Sequence, residues 1–125
     1  METFDLLVIG SGPAGQRAAI QGAKSGKKVA LIERREVVGG TCINTGTIPS
    51  KTMREAVLHL SGYYYQSIYG TSYRVKEKIT MADLLFRVQH VIKTEIYVIR
   101  GQLSRNGIEL IAGAAKFTGP AQVRV

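Results

Sequence analysis

The sequence is poor in cysteine and contains no long apolar run. Cys42 is the only cysteine among 125 residues, which excludes an intrachain disulfide framework and the common structural zinc sites, because both need several thiols or paired histidines. No uninterrupted apolar stretch reaches the roughly 18 residues that a membrane-spanning helix needs. The first residues, Met1–Asp5, also lack the basic start of a secretory signal. We therefore expect a cytoplasmic protein that does not associate with membranes.

Acidic residues are also scarce, with 9 Asp and Glu against 17 Lys and Arg, for a net charge of +8. Such a surplus suggests a polyanionic partner, but the basic residues are dispersed along the chain. The pair Arg34-Arg35 is flanked by Glu33 and Glu36, and no basic run alternates with aromatic residues. We therefore expect no nucleic-acid partner. The 45% apolar content is ordinary for a globular domain with a core.

The first third of the chain has the pattern of a βαβ unit. Phe4–Ile9 and Val29–Ile32 are short apolar runs, typical of strands buried on both faces of a parallel sheet. Between them, Ala14–Ala23 is rich in alanine and favours a helix, and Gly26 follows as a stop signal. The predicted fold class is therefore α/β, with the first two strands parallel.

The rest of the chain predicts two long helices and more β structure. The segment 37–46 carries four glycines and is typical of an extended loop. Apolar residues at helical spacing follow in two stretches, and the second begins with a Thr80 and Asp83 capping pattern. The predicted elements are a helix from about Ile48 to Tyr63–Tyr65, an exposed connection over 66–79, a helix from Thr80 to Asn106, a strand over Ile108–Ile111, and β structure over Phe117–Val125 with a turn at Gly119-Pro120.

A glycine fingerprint lies between the first predicted strand and helix. Residues 10–15, GSGPAG, fit GxGxxG in the required position, and Glu33 ends the next strand. Gly10 permits the tight turn, Gly12 lets backbone approach a pyrophosphate, and Gly15 lets the helix pack closely. A carboxylate at Glu33 accepts hydrogen bonds from ribose hydroxyls and repels a 2′-phosphate. These residues favour FAD or NAD over NADP, while a turn that merely connects packed elements is the alternative.

The stretch over residues 39–51, GGTCINTGTIPSK, resembles the pyridine nucleotide-disulfide oxidoreductases, the flavoprotein family of dihydrolipoyl dehydrogenase and glutathione reductase. Members of that family read GGTC, four residues, then CIPSK, and place two redox thiols against the flavin. The segment 113–117, GAAKF, is similar to the family segment that touches adenine. The resemblance implies a Rossmann-like FAD-binding domain and selects FAD as the bound cofactor.

The resemblance also implies roles for individual residues. The pyrophosphate of FAD would lie at Gly10, Gly12 and Gly15, the ribose at Glu33, and Lys51 near the flavin N5 edge, where a cation would stabilise anionic flavin. The predicted cofactor-binding residues are Gly10, Gly12, Pro13, Ala14, Gly15, Glu33, Arg34, Arg35, Glu36, Val37, Val38, Gly39, Gly40, Thr41, Cys42, Gly46, Lys51, Ala114 and Ala115. No metal site is predicted.

Thr47 departs from the family pattern, because it occupies the position of the second redox cysteine. A threonine hydroxyl forms no disulfide, so the dithiol relay is absent. The run CINTGTIPSK is similar to the transhydrogenase subgroup of the family. The resemblance therefore implies hydride exchange between NADPH and NAD through FAD, with Cys42 as a packing remnant. Two alternatives remain: an FAD-dependent disulfide or peroxide reductase that uses Cys42 as a single redox thiol, and a dinucleotide-binding module without catalysis.

The family resemblance also implies a division into domains. Residues 1–125 would be the N-terminal part of an FAD-binding domain, while the NAD(P)-binding domain and the C-terminal interface domain of the family are absent from this sequence. On that interpretation NAD and NADP are substrates of the complete enzyme, and the 125 residues are inactive alone. The complete protein would form a homodimer or a larger homo-oligomer.

Overall fold

A computed structural model describes residues 2–125, so Met1, part of the N-terminal stretch interpreted above, lies outside the described residues. A β-α-β unit is followed by a run of helices, and the long last helix leads into a final β region. In chain order the elements are β1 (Leu6–Ile9), α1 (Pro13–Lys24), β2 (Val29–Glu33), α2 (Gly40–Asn44), α3 (Thr47–Leu60), a 3₁₀ turn (Tyr63–Tyr65), α4 (Gln66–Tyr69), α5 (Met81–Arg105), β3 (Glu109–Ala112), β4 (Lys116–Gly119) and β5 (Gln122–Arg124).

The three longer strands form a parallel sheet in the order β1-β2-β3. Val8 pairs with Leu31, and Leu31 in turn pairs with Leu110. The predicted α/β class and the parallel pairing of the first two strands are confirmed. Because the strands are parallel, their carboxyl ends meet at one edge of the sheet, where the glycine loop, Glu33 and the residues after β3 converge.

The core lies where α1 and α5 pack on the sheet. Apolar residues of β2 are fully covered, because this central strand has neighbours on both sides and helices above it. The predicted stripe on α5 supplies Ile99 and Leu103, which are 4% and 2% exposed. The buried apolar cluster consists of Ala19, Val29, Leu31, Val38, Ile43, Ile99, Leu103 and Ile108.

β1 is less buried than its apolar sequence predicts. Leu7 and Ile9 are 37% and 50% exposed, and they alternate with the half-buried Leu6 and Val8. Among the described residues β1 pairs with β2 alone. The prediction of burial on both faces is therefore correct for β2 and wrong for β1, since Leu6 and Val8 pack against the core while Leu7 and Ile9 lie on the opposite, exposed face.

Two helix boundaries differ from the sequence prediction. The predicted loop over 37–46 contains the one-turn helix α2, in which the Asn44 side-chain amide donates to the Val38 and Gly40 carbonyls. Helix α3 ends at Leu60 instead of continuing to the tyrosines. Gly62 adopts a φ of +74° and turns the chain, so Tyr63–Tyr65 form a separate and exposed 3₁₀ turn.

The long helix α5 and the terminal hairpin follow the prediction closely. Thr80 and Asp83 form a reciprocal capping box at the start of α5. Strands β4 and β5 pair antiparallel around the Gly119-Pro120 turn. No helix of the described residues has the length and apolar character needed to cross a membrane.

Candidate functional site

A cavity of about 320 Å³ opens at the carboxyl ends of the parallel strands. This edge is where ligands bind in open α/β sheets. The cavity brings together residues from three distant parts of the sequence, namely the glycine loop, the end of β2 and the segment after β3. Its lining consists of Ile9, Gly10, Ile32, Glu33, Arg34, Gly113, Ala114 and Ala115.

The three fingerprint glycines differ in whether the fold requires a glycine at their position. Gly10 has a φ of +98°, which favours glycine, and its N–H donates to the Ile32 carbonyl at 2.8 Å. A Cβ built on Gly15 would lie 2.0 Å from the Gly10 carbonyl oxygen, so no larger residue fits there without a shift. A Cβ built on Gly12 would meet no heavy atom within 4 Å. The fold itself therefore accounts for Gly10 and Gly15, whereas Gly12 leaves open space at the start of α1.

Helix α1 begins directly at that open space. Gly12 is its N-cap, Pro13 occupies the first turn, and no side chain of the described residues caps the helix. The first-turn N–H groups of Ala14 and Gly15 therefore point out of the helix without a side-chain acceptor. This helix of 12 residues presents a positive dipole end and free donors, which is the arrangement that binds phosphate groups.

Glu33 is held by a buried hydrogen-bond network. Its Oε2 accepts from the Ser11 backbone N–H at 2.9 Å and from the Ser11 hydroxyl at 2.5 Å. Its Oε1 accepts from the Arg35 N–H at 3.0 Å. The Ser11 hydroxyl in turn accepts from the Gly39 N–H at 3.0 Å. The carboxylate thus joins the glycine loop to the end of β2, and Ser11 extends the connection to the segment before α2.

The pKa of Glu33 is lower than the ordinary 4.5 of a glutamate. Burial raises this pKa, but hydrogen bonds from the Ser11 hydroxyl and from the backbone N–H groups of Arg35 and Ser11 favour the ionised form and outweigh burial. Glu33 is therefore an anion at neutral pH although only 8% of it is exposed. A fixed carboxylate at the cavity wall can accept hydrogen bonds from hydroxyl groups and repels a phosphate placed beside it.

The predicted positions between Glu33 and Cys42 run from the cavity toward α2. Arg34, Arg35, Glu36 and Val37 are exposed, while Val38 and Gly39 are buried. The Arg100 guanidinium of α5 donates to the Glu36 carbonyl at 3.2 Å. At the end of the segment, a Cβ on Gly40 would lie 2.9 Å from the Gly12 Cα, so α2 begins against the glycine loop.

Other predicted positions lie around α2 and the start of α3. Thr41 is exposed, Cys42 is half-buried in α2, and Thr47 begins α3. A Cβ on Gly46 would lie 2.8 Å from the Thr41 carbonyl oxygen, which explains this glycine by the tight turn between the two helices. No other cysteine exists in the chain to pair with Cys42.

Lys51 does not line the glycine-loop cavity. It borders a second cleft of about 610 Å³ between α3 and the first turns of α5. The lining of this cleft consists of Lys51, Thr52, Glu55, Ala56, His59, Leu60, Tyr64, Asp83 and Arg87. Among residues 2–125, no group of three or more His, Cys, Asp or Glu side chains is arranged to hold a metal ion.

Sequence reasoning missed Ser11 and Gln16. Ser11 is fully buried and contacts Glu33 and Gly39, and the Gln16 side-chain amide donates to the Ser11 carbonyl at 2.7 Å. Ser11 occupies a position that the GxGxxG pattern leaves variable, so the pattern assigns it no role. The one sequence signal for a role of Ser11 is that it is a polar residue at a variable position between two required glycines.

The family model of the pyridine nucleotide-disulphide oxidoreductases matches residues 4–125. Among curated proteins, the soluble pyridine nucleotide transhydrogenase of Mycobacterium bovis (strain BCG / Pasteur 1173P2) is 57% identical over 125 residues, which cover 100% of this chain and 27% of that protein. The dihydrolipoyl dehydrogenase of Thermus scotoductus is 39% identical over 128 aligned positions, covering 100% of this chain and 26% of the relative. The chain therefore spans about a quarter of the length of the curated relatives it matches.

Among solved structures, the Cu(II) complex of the HOCl-induced flavoprotein disulfide reductase RclA from Escherichia coli has the same architecture. The TM-score is 0.79 at 30% sequence identity, and the match covers 100% of this chain and 25% of that chain. The Rossmann-like character that the family resemblance implies is confirmed by this likeness together with the parallel sheet.

Proposed function

The chain belongs to the pyridine nucleotide-disulphide oxidoreductase family, and from that premise we propose that it forms the FAD-binding part of a flavoprotein that exchanges hydride between NADPH and NAD. The observation that carries the proposal is Thr47, which stands where the family places its second redox thiol. With Cys42 as the only cysteine, no intrachain dithiol can relay electrons. The transhydrogenase relative at 57% identity supports the same choice.

The residues of the cavity fit the adenosine diphosphate moiety of FAD. The open space at Gly12 and the uncapped N–H groups of α1 suit a pyrophosphate. The ionised Glu33 suits ribose hydroxyls and disfavours a 2′-phosphate. Gly113, Ala114 and Ala115 give the far wall small side chains, against which a flat adenine can lie. The remaining proposed contacts, from Arg34 to Cys42, follow the chain from this cavity to α2.

FAD, when bound, supplies a group that accepts hydride from one nicotinamide and returns it to another without a thiol. In this proposal the described residues bind and orient the cofactor. The α1 N-terminus would stabilise the pyrophosphate and Glu33 would accept hydrogen bonds from the ribose. The close contact of Gly40 with the glycine loop sets the position of α2. Cys42 packs in α2 without a redox role, and the contact of Lys51 with the flavin remains a prediction.

The second candidate is a reductase that uses Cys42 as a single thiol. The position of Cys42 supports this candidate, because the thiol is half-buried in α2, and α2 begins against the glycine loop. The likeness to a flavoprotein disulfide reductase at 30% identity also supports it. A single thiol would have to pass through a sulfenic acid or a mixed disulfide during turnover.

Activity of the protein that contains these residues separates the two candidates. We would measure reduction of a nicotinamide-analogue acceptor by NADPH, and NAD(P)H-dependent reduction of a disulfide and of hydrogen peroxide, with and without Cys42→Ser. The proposal predicts that hydride exchange falls by less than about tenfold in the variant, since serine preserves most of the packing. If Cys42→Ser lost both hydride exchange and the reduction of disulfide or peroxide, the result would favour the single-thiol reductase.

The proposal extends to the organisation of the whole protein. The matched relatives are nearly four times longer than this chain, so we propose that nicotinamide binding and self-association reside in sequence beyond the matched region of those relatives. A homodimer or larger homo-oligomer is the expected assembly. Sedimentation of the protein that contains these residues tests this directly, and a monomer at all concentrations would contradict it.

A further inference from the structure

Ser11 is a buried polar residue to which neither the fingerprint nor the family resemblance gives a role. Its hydroxyl is fully inaccessible, donates to Glu33 Oε2 and accepts from the Gly39 N–H. Its backbone N–H and carbonyl are also engaged, by Glu33 and by Gln16. Every polar atom of this residue is therefore used. Two of its bonds reach Glu33, one reaches Gln16, and the Gly39 N–H contacts both the Ser11 hydroxyl and the Ser11 carbonyl.

We propose that the Ser11 hydroxyl is a positioning group that fixes the orientation of the Glu33 carboxylate toward the cavity and couples it to the segment that opens α2. The ribose-binding aspect of this inference rests on the proposed FAD site, while the orientation of Glu33 does not. Ser11 itself does not line the cavity, so it acts through Glu33 and not through contact with a ligand.

The distribution of hydrogen bonds on Glu33 carries the argument. Oε2 accepts two hydrogen bonds from Ser11, and a carboxylate oxygen has about two acceptor positions. Oε1 accepts the Arg35 N–H and is the oxygen with capacity for another donor. The two bonds from Ser11 therefore decide which oxygen is available to a ribose hydroxyl, and they fix the rotamer that presents it.

Removal of the hydroxyl would alter the acid-base behaviour of Glu33. Burial raises the pKa of Glu33, and the Ser11 hydroxyl is the foremost of the groups that oppose this effect. The charged residues that follow it directly in the chain are Arg34 and Arg35, and both are exposed. The rest of the cavity lining is apolar or backbone, so no second titratable group among the lining residues complicates the titration of Glu33.

The test is a carbon-13 NMR titration of the Glu33 side-chain carboxyl in the full, ligand-free chain, with Glu33→Gln identifying the resonance. In Ser11→Ala the Glu33 pKa should rise toward or above 4.5, the ordinary value. In Ser11→Cys the rise should be smaller, because a thiol is a weaker donor. The matched control is Ser25→Ala, which removes an exposed hydroxyl bonded to the Gln21 carbonyl and should leave Glu33 unchanged.

An unchanged Glu33 pKa in Ser11→Ala and Ser11→Cys would overturn the inference, as would an equal shift in the Ser25 control. If Ser11→Ala does not fold, Ser11→Cys decides alone, because its shift must still be upward. A purely structural role would lower stability without moving the Glu33 titration selectively.

A second arm measures FAD binding against pH in the same proteins. For Ser11→Ala we expect the loss of affinity on acidification to begin at higher pH than in the wild type. If the Glu33 pKa shifted in Ser11→Ala but FAD affinity were lost at the same pH as in the wild type, the ribose part of the inference would be overturned. Absence of FAD binding by the wild type at every pH would contradict the proposed cofactor site, and the ligand-free titration would still decide the role of Ser11.

Discussion

At the residue scale, the glycine fingerprint separates into positions that the fold requires and one that it does not. Gly10 needs its positive φ, and Gly15 faces the Gly10 carbonyl oxygen at a distance that no Cβ tolerates. Gly12 has an ordinary φ of −65° and open space around its missing side chain. The sequence analysis counts all three as cofactor-binding residues and also gives Gly10 a turn role and Gly15 a packing role. The structure agrees with those two structural roles and leaves open space at Gly12.

Alanine substitutions at Gly15 and Gly12 should separate these roles. Gly15→Ala would force a Cβ to within 2.0 Å of the Gly10 carbonyl oxygen, so we expect the free energy of unfolding to fall by about 1–3 kcal/mol, typical of overpacking. Gly12→Ala meets no atom and should leave stability nearly unchanged while weakening FAD binding. Chemical denaturation and FAD titration of both variants measure this, and equal stability losses would refute the division.

At the element scale, the sequence predicts regular structure well where hydrophobic periodicity is sustained. The stripe on α5 continues over 25 residues and starts at a capping box, so its existence and both ends follow from local signals. α2 is a single turn of five residues between glycines, and its stability depends on packing of Ile43 and on the Asn44 side chain. Such tertiary and side-chain contacts leave no periodic signal, which is why that segment was predicted as a loop.

The end of α3 was misplaced for a related reason. Tyr64 continues the apolar spacing of the helix, but Gly62 adopts a left-handed conformation and is buried against Tyr73. The chain therefore turns before the tyrosines, and Tyr64 donates its hydroxyl to Glu55 at 2.9 Å from outside the helix. Spacing alone does not reveal this reversal, because it depends on contact with the later segment around Tyr73.

The capping box should contribute measurably to the stability of α5. Thr80→Ala removes the side chain that accepts from the Asp83 N–H, and we expect a loss of about 1 kcal/mol in the free energy of unfolding. Thr94→Ala is the control, since Thr94 is exposed in the middle of the same helix and bonds only the His90 carbonyl. A loss at Thr94 as large as that at Thr80 would mean that capping is not the cause.

The same cap predicts a dependence on pH. Hydrogen bonds from Lys76 and from the Thr80 N–H and hydroxyl lower the pKa of Asp83 to about 2, from an ordinary 3.8. The folded state therefore binds this proton less readily than the unfolded state. The contribution of Asp83 is fully present above about pH 4 and is lost as the pH falls toward 2. Asp83→Asn should flatten the acid limb of the stability curve, and an unchanged slope would contradict this assignment.

At the scale of the whole molecule, the core and the cavity depend on segments that are far apart in sequence. Helix α5 covers the sheet through Ile99 and Leu103, and the chain then enters β3, whose carboxyl end completes the cavity. The fingerprint predicted that the glycine loop and Glu33 belong to one site, whereas Ala114 and Ala115 were assigned to it through the family resemblance alone. The network of Ser11, Glu33 and Gly39 was not predicted, since hydrogen bonds between distant side chains follow from the assembled fold.

Shortening a buried apolar side chain of α5 tests whether the core lies where this helix packs on the sheet. Leu103→Ala removes a side chain that is 2% exposed, and we expect a loss of about 2–5 kcal/mol in the free energy of unfolding. Leu85→Ala alters the same helix at a residue that is 40% exposed and should cost about 0.5 kcal/mol or less. Denaturant unfolding of both variants gives the comparison, and similar losses would place the core elsewhere.

The most direct test of the proposed cofactor site is retention of flavin by the chain itself. The chain would be incubated with excess FAD, freed of unbound cofactor and examined by visible absorption, beside Gly12→Val. Our account predicts flavin absorbance that remains with the wild type and is lost in the variant, because a side chain at Gly12 fills the space open to the pyrophosphate. Equal retention by a folded Gly12→Val protein would contradict the account, as would failure of the protein that contains these residues to retain FAD.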